Sequence, residues 1–236
     1  MICMSVDVTY FRIERMIRSS AECFLCALED EIERKYIDAY LSELVMDAKA
    51  RERLVEGGGF CNHHFYRMLA IATRPESSDG HGIALIAQSI IEKTVQDLQK
   101  QRKQRKEAFC QTIECPACAH IANLMEIYHR KIVELLYSRN EEFEKLFKNS
   151  KGLCAPHFAL LLKIIQDTMG SQSQESIKTI IDVEEKNFSQ LKSELSEYIR
   201  RQSYEFSDKD RKAVEDVLLK SVQKIVGRRG IKHDDI

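Results

Sequence analysis

The sequence CPACAHIANLMEIYHRKIVELL, residues 115–136, begins with two cysteines three positions apart and continues as an amphipathic pattern. Its apolar residues recur every three or four positions, the spacing that places them on one face of an α-helix. A similar pattern follows Cys23 and Cys26. Each stretch therefore predicts a long helix that starts at a CxxC motif. The two apolar faces consist of Ile121, Leu124, Met125, Tyr128, Ile132, Leu135 and Leu136, and of Leu25, Leu28, Ile32, Tyr36 and Ala39.

Each CxxC motif is followed by a CxxH motif further along the chain, at residues 61–64 and 154–157. Aligning residues 21–69 with 113–162, with one extra residue near Lys151, superimposes all four motifs. We therefore predict a pseudo-twofold internal duplication of a multi-helix unit. The predicted organisation is an N-terminal segment (1–19), two helical metal-binding repeats (20–112 and 113–205) packed as one globular unit, and a C-terminal helix and tail (206–236).

The composition favours helices throughout the chain. The 236 residues include only 3 Pro and 9 Gly, whereas 31% are charged, a mixture that suits long helices with charged surfaces. The 36 basic and 37 acidic residues give a formal net charge of −1. This balance provides no general attraction to nucleic acid, so we do not expect nucleic-acid binding. We predict an all-α fold.

The N-terminal residues predict neither a signal peptide nor a membrane anchor. Charged residues interrupt positions 1–20, and the longest apolar runs are far shorter than the ~20 residues of a membrane span. We therefore expect a cytoplasmic chain without membrane contact. Structural disulfides are rare in that reducing compartment, so the 8 Cys favour metal-binding or redox chemistry.

Two glycine-containing segments predict where helices end. Residues 57–59 are Gly-Gly-Gly and residues 149–152 are Asn-Ser-Lys-Gly, and each segment lies immediately before a CxxH motif. We expect one helix to end there and another to begin at the cysteine. Further helices are predicted over 83–106, over 176–201 with Ile177 and Ile181 on the inner face, and over 208–226, opened by Ser207 or Asp208 and stopped by Gly227.

The spacing of the cysteines and histidines is typical of a structural zinc site. Zinc prefers four thiolate or imidazole ligands at tetrahedral corners, and a CxxC motif supplies two thiolates from one helical turn. A CxxH motif supplies a thiolate and an imidazole in the same way, and helix N-termini favour the ionised thiolate. We therefore predict two zinc ions per chain, each held by three Cys and one His. The predicted ligands are Cys23, Cys26, Cys61, His64, Cys115, Cys118, Cys154 and His157.

Two pairings of these motifs are compatible with the sequence. If residues 27–46 form one helix, it rises ~30 Å, and a returning helix of about ten residues with a few extended ones covers about 25–30 Å. Closure of each site within one repeat is therefore feasible, and it is the arrangement we expect. The alternative brings the CxxC motif of one repeat to the CxxH motif of the other and uses the same eight residues.

The region between the first two motifs carries a family resemblance. The runs ELVMD at 43–47, RERL at 51–54 and GFCNHH at 59–64 accompany the duplicated CxxC motif. Together they resemble an uncharacterised prokaryotic family of duplicated CxxC/CxxH helical proteins, described only as a domain of unknown function. The resemblance covers residues 20–226. It implies a helical metal-binding fold with the same eight ligand positions, and it implies no activity. Cys3, Cys110 and the triple glycine depart from the family pattern.

Other interpretations of the eight residues stay open. They could be reduced cysteines and polar histidines of the core, a thiol redox centre in which CPAC at 115–118 is a dithiol motif, or the ligands of an iron–sulfur cluster. We expect no metal at the remaining candidates. These are Cys3 near the terminus, His63 at the surface or beside the ligands, Cys110 as a partly buried thiol, Glu126 and His129 on a solvated helix face, and the basic run 100–106 at a solvated helix end.

The predicted metal sites have consequences for function. A closed four-ligand site leaves no position for a substrate or an activated water, so the metals are predicted to be structural. The sequence contains no phosphate-loop, dinucleotide-binding, zincin or hydrolase motif. We therefore expect a scaffold or interaction protein that binds a protein partner or a second copy of itself, without enzymatic activity. The alternative is a thiol redox or iron–sulfur electron-transfer protein.

Overall fold

The computed structural model describes residues 7–74, 80–104 and 113–227. These ranges contain helices and no strand, which confirms the predicted all-α fold. The helices are α1 Val8–Arg18, α2 Phe24–Ser42, α3 Ala48–Glu56, α4 Asn62–Ala72, α5 Gly80–Gln104, α6 Pro116–Tyr137, α7 Glu141–Lys148, α8 Ala155–Met169, α9 Gln174–Arg201, α10 Asp208–Lys212 and α11 Asp216–Val226, with 3₁₀-helices at Leu44–Met46 and Gly170–Ser173.

The helix ends lie where the glycine-containing segments predict them. α3 ends directly before the three glycines, and α7 ends directly before residues 149–152. Cys61 and Cys154 are the N-cap residues of α4 and α8, so a helix begins at each CxxH motif. Gly59 and Gly152 have φ angles of 95° and 71°, which glycine adopts without steric cost. These turns deliver each CxxH motif to the start of a new helix.

Residues 31–124 form one compact unit with its own core. Tyr40 of α2 packs edge to face against Phe60, with ring centroids 5.0 Å apart. Phe60 immediately precedes a CxxH motif. Cys115 and Ala117, at the start of α6, belong to the same buried cluster. This core therefore fixes the two helix starts that carry one CxxH and one CxxC motif.

The other compact unit comprises residues 1–30 and 125–236, as far as these are described. Phe24 of α2 packs edge to face against Phe147 of α7 with centroids 6.1 Å apart, and both rings are 1% exposed. Leu153, directly before the second CxxH motif, is fully buried. The packing of Phe24 and Leu153 fixes the other two motif-bearing helix starts.

The compact units do not coincide with the sequence repeats. The division falls inside α2, between residues 30 and 31, and inside α6, between residues 124 and 125. The internal duplication and its boundaries at 20–112 and 113–205 therefore stay predictions about the sequence.

Two helices differ from their predicted extents. The helix expected over residues 27–46 ends at Ser42, and a 3₁₀-helix at Leu44–Met46 connects it to α3. Asp47 caps α3, and its carboxylate accepts the N–H groups of Lys49 and Ala50. The C-terminal helix is divided into α10 and α11 by a turn at residues 213–215. Its predicted ends are confirmed, since Ser207 Oγ accepts the N–H of Asp210 and α11 stops at Gly227.

Two residues predicted on inner faces are exposed instead. Ala39 faces solvent because the buried face of α2 continues through Ile37 and Tyr40. Ile181 is 42% exposed, whereas its neighbour Ile180 is fully buried. The inner face of α9 is therefore rotated by one residue from the predicted one, and it includes the charged residue Glu184 at 3% exposure.

Candidate metal centres

All four motifs adopt the same local arrangement at the start of a helix. The first motif residue lies just before α2, α4, α6 or α8, and the second lies three positions later. In each case the first residue's carbonyl accepts the N–H four positions along the chain. The donors are Ala27, Phe65, Ala119 and Phe158, at 3.2, 2.9, 3.2 and 2.8 Å. Because residues three apart share one side of a helix, each motif presents both of its ligand side chains together.

The first candidate centre consists of Cys23, Cys26, Cys154 and His157. Nδ1 of His157 lies 3.4 Å from the Sγ atoms of Cys23 and Cys26 and 3.2 Å from that of Cys154. The Sγ atoms of Cys26 and Cys154 are 3.6 Å apart. The three cysteines are at most 4% exposed, so this centre is enclosed by protein.

The second candidate centre consists of Cys61, His64, Cys115 and Cys118. Nδ1 of His64 lies 3.1, 3.3 and 3.4 Å from the Sγ atoms of Cys61, Cys115 and Cys118. The Sγ atoms of Cys61 and Cys118 are 3.8 Å apart. His64 and Cys115 are buried, whereas Cys61 and Cys118 are partly exposed. This centre is therefore more open than the first.

The distances in both centres match those around a single tetrahedral ion. Zinc–sulfur bonds of about 2.3 Å and zinc–nitrogen bonds of about 2.0–2.1 Å place tetrahedral ligands about 3.8 Å (S to S) and 3.6 Å (S to N) apart. In each group all four ligand atoms lie within 4.8 Å of one another. The six cysteines in the described ranges form no disulfide, since the Sγ–Sγ distances of 3.6 and 3.8 Å far exceed the ~2.05 Å of a disulfide bond. The arrangement can thus hold one ion per group.

The pairing of the motifs corrects the expected arrangement. Each group combines the CxxC motif of one predicted repeat with the CxxH motif of the other, and closure within a repeat is wrong. The 19-residue α2 rises ~28 Å, whereas the nine-residue α3 covers only ~14 Å of a return path. Positive φ angles at Gly58 and Gly59 turn the chain between α3 and the CxxH motif, so this segment adds less length than the run of extended residues that closure required.

A carboxylate from α2 lies behind each ligand histidine. Glu29 Oε2 is 3.5 Å from Nε2 of His157, and Glu33 Oε1 is 3.3 Å from Nε2 of His64. When a histidine binds a metal through Nδ1, a carboxylate in this position would fix the orientation of the imidazole ring and raise its basicity. Neither glutamate was predicted from the sequence. The available signal was their spacing, since Glu29 and Glu33 lie three and seven residues after Cys26, on the same side of the helix as this cysteine.

The ionisation of the first centre also suits a cation. Burial raises the pKa of the Cys23 thiol well above its usual range, whereas hydrogen bonds with Cys23 and Cys26 lower the pKa of Cys154. Burial lowers the pKa of His157, but hydrogen bonds with Cys154 and Cys26 outweigh it and raise that pKa to about 12. These shifts favour the thiolate at Cys154 and the imidazolium at His157, and a divalent cation would displace protons from the centre.

The second centre shows the same division between its thiols. Burial raises the pKa of the Cys118 thiol to about 12, and the neighbouring Cys115 adds to this effect. Burial alone would raise the pKa of the Cys61 thiol, but hydrogen bonds from the backbone N–H of His64 and from the neighbouring thiols outweigh it and lower this pKa overall. The thiolate form is thus favoured at Cys154 over Cys23 in the first centre and at Cys61 over Cys118 in the second.

The remaining candidate residues lie outside the two groups of four. His63 is partly exposed, and its Nε2 lies 2.6 Å from Oε1 of Glu33. Glu33, His63 and His64 together form a third group of side chains that could hold a metal ion, and this group includes His64 of the second centre. Glu126 is exposed, but His129 is buried, and burial lowers its pKa, so the prediction of a solvated face is wrong for His129.

Several sequence predictions fall outside the described residues or at their edge. Cys3 and Cys110 lie outside the described ranges, as do residues 105–106 of the basic run. Lys100, within α5, is exposed and pairs with Asp97 at 3.6 Å. In the part of the chain that the structure describes, no helix combines the length and apolar character needed to cross a bilayer.

Comparison with known proteins places the chain in a family. No curated protein and no solved structure matches it. A family model described as a family of unknown function (DUF6062) matches residues 4–232, nearly the whole chain. This match agrees with the resemblance found in the motifs and their flanking residues. The chain therefore belongs to this family of unknown function.

Proposed function

We propose that the chain is a zinc-binding scaffold protein in which two structural ions hold its helix starts together. The observation that carries this proposal is the convergence of eight ligand atoms into two groups of four, each within 4.8 Å. Cys23, Cys26, Cys154 and His157 would bind one ion. Cys61, His64, Cys115 and Cys118 would bind the other.

The ligand spacing favours one ion per centre over an iron–sulfur cluster. A cluster places several iron and sulfide ions between its cysteine ligands and so separates their sulfurs. The Sγ–Sγ distances of 3.6 and 3.8 Å instead suit sulfurs that share a single ion. Among single ions, a set of three thiolates and one imidazole favours zinc.

A structural role follows from the closed ligand set. Four protein ligands leave no position for a substrate or water, so the ions act through the fold and not through chemistry at the metal. The first ion would join Cys23 to His157, which are 134 residues apart in the chain. Structural zinc sites contribute apparent binding free energies on the order of 10 kcal/mol. The metal-stabilised helices would then serve as a rigid surface for a protein partner in the cytoplasm, where thiols stay reduced.

Elemental analysis tests the proposal, using the full chain purified without added metal. Two zinc ions per chain and a colourless preparation are the expected result. A brown preparation absorbing near ~400 nm would instead indicate an iron–sulfur protein. A folded, metal-free chain whose thiols react with a disulfide reagent would instead indicate a thiol redox function. Cys3→Ser is the matched control for Cys61→Ser, because only the latter variant should lose zinc and thermal stability.

A further inference from the structure

We propose that the two centres have different roles. The C-terminal helix α11 seals the first centre, which keeps its ion, whereas the second centre exchanges its ion and reacts with thiol reagents at Cys61 and Cys118. This inference rests on the proposed metal binding, and it adds that one of the two ions is accessible to other molecules.

The end of α11 closes one side of the first centre. Gly227 has a φ angle of 81°, and a Cβ atom placed on it would lie 3.3 Å from the Sγ of Cys154 and 3.5 Å from the Sγ of Cys26. The backbone at Gly227 therefore lies directly over two of the four ligands. Any larger side chain would press on both sulfurs.

One buried lysine attaches α11 to both ligand-bearing segments. Lys224 is 1% exposed, and its Nζ donates to the backbone carbonyls of Glu22 and Lys151, the first at 3.3 Å. Glu22 immediately precedes Cys23, and Lys151 lies three residues before Cys154. A single ammonium group thus connects the helix to the entry of both motifs.

Glu184 of α9 completes this attachment. One carboxylate oxygen, Oε2, is 3.1 Å from Nζ of Lys224, and the other, Oε1, accepts the N–H of Leu153 at 2.6 Å. The ring of Phe188 lies 5.3 Å from the same Nζ. Because the ammonium is surrounded by these acceptors and the ring, α11 cannot leave the centre without breaking a buried ion pair.

Two cysteines of the second centre are partly exposed. Cys61 and Cys118 are partly exposed, whereas all three cysteines of the first centre are buried. Release of a metal to a chelator and alkylation both require an incoming molecule to reach a ligand sulfur, so both depend on exposure. Exchange and modification should therefore begin at the second centre.

Zinc release from the intact chain tests this difference. The chain loaded with two zinc ions is mixed with excess 4-(2-pyridylazo)resorcinol, which changes colour when it binds zinc. We expect two phases of equal amplitude whose rates differ at least tenfold. Under limiting iodoacetamide, where the sulfur displaces iodide to form a carbon–sulfur bond, mass spectrometry should find Cys61 and Cys118 modified before Cys23, Cys26 and Cys154.

Two variants, each with a matched control, test the seal. Lys224→Met should accelerate the slow phase at least tenfold and leave the fast phase unchanged, whereas Lys220→Met should change neither phase. Lys220 lies one turn earlier on α11, is 35% exposed and forms a surface ion pair with Asp216. Gly227→Val should act like Lys224→Met. Its control is Gly170→Val, which has a similarly positive φ angle of 53° but open space around its Cβ position.

The outcomes separate this inference from the proposed function. Two bound zinc ions that leave in one phase, or cysteines that alkylate at equal rates, would overturn the inference and leave the zinc sites intact. A slow phase that neither Lys224→Met nor Gly227→Val accelerates would refute the role of α11. A chain that binds no zinc would overturn both proposals. The order in which the cysteines of the unsubstituted chain are alkylated remains decisive even if a variant fails to fold.

Discussion

Paired cysteine substitutions should reveal which motifs share an ion. Cys23→Ser combined with Cys154→Ser should remove one zinc ion per chain, because both sulfurs belong to the first centre. Cys23→Ser combined with Cys61→Ser should remove both ions, because these sulfurs belong to different centres. Closure within each sequence repeat predicts the reverse. The two double variants have the same number of substitutions, so each is the control for the other.

The loss of stability should follow the number of ions lost. A ligand present at about 1,000 times its dissociation constant stabilises a folded protein by about 4 kcal/mol. In a chain of this size, 1 kcal/mol corresponds to about 2–4 °C in melting temperature. Each lost ion should therefore lower the melting temperature by about 8–16 °C. Cys23→Ser with Cys154→Ser should melt close to Cys23→Ser alone, since the second substitution removes a ligand from a centre that is already lost.

Plasma mass spectrometry of the purified chains gives the zinc count, and calorimetry gives the melting temperature. If each CxxC motif shares an ion with the CxxH motif of the other repeat, Cys23→Ser/Cys154→Ser should keep one zinc ion and Cys23→Ser/Cys61→Ser none. Reversed counts would refute the pairing. Two ions retained in both variants would refute metal ligation by these cysteines altogether.

Three further outcomes are expected. Glu29→Gln should weaken zinc binding by about 10–100-fold in a competition titration, because the carboxylate orients His157, and unchanged affinity would count against that contact. Zinc binding at pH 7 should release protons from Cys23, Cys118 and His157, because their raised pKa values keep them protonated in the metal-free chain. The zinc affinity should therefore fall as the pH is lowered. Calorimetry in buffers of different ionisation enthalpy measures the protons released, and a count of zero would contradict this prediction. Gly152→Ala should lower the free energy of unfolding, measured in denaturant, by about 3–5 kcal/mol, because the new Cβ would clash with Glu184. The control Gly80→Ala should lower it little, because there is open space around that position. Equal losses of stability in the two variants would contradict the packing around Gly152.

The eight candidate ligands could be identified from the sequence because their signal is local. The three-residue spacing in Cys115-x₂-Cys118, repeated in four motifs, is set by one turn of helix and needs no tertiary information. The helix ends were predictable for the same reason, since glycine and N-cap preferences act over a few residues. The pairing was not predictable in this way. It depends on how far α3 returns along α2 and on the turn at Gly58 and Gly59, and these are properties of the folded chain.

The residues around the centres were missed because charge alone suggests exposure. Glu184 and Lys224 are each at most 3% exposed, and each is tolerated there because they pair with one another and with buried backbone groups. Their positions are 40 residues apart in sequence, so no local pattern connects them. Glu184 also explains the misplaced face of α9. The helix turns this carboxylate inward toward Leu153, and this rotation exposes Ile181.

Diffraction data from crystals of the full chain, recorded on both sides of the zinc absorption edge, would decide whether eight side chains hold two ions. Two anomalous peaks are expected, one bonded to Cys23, Cys26, Cys154 and His157 and the other to Cys61, His64, Cys115 and Cys118. The absence of both peaks, or peaks that join each CxxC motif to the CxxH motif next along the chain, would contradict the structure's grouping of these side chains.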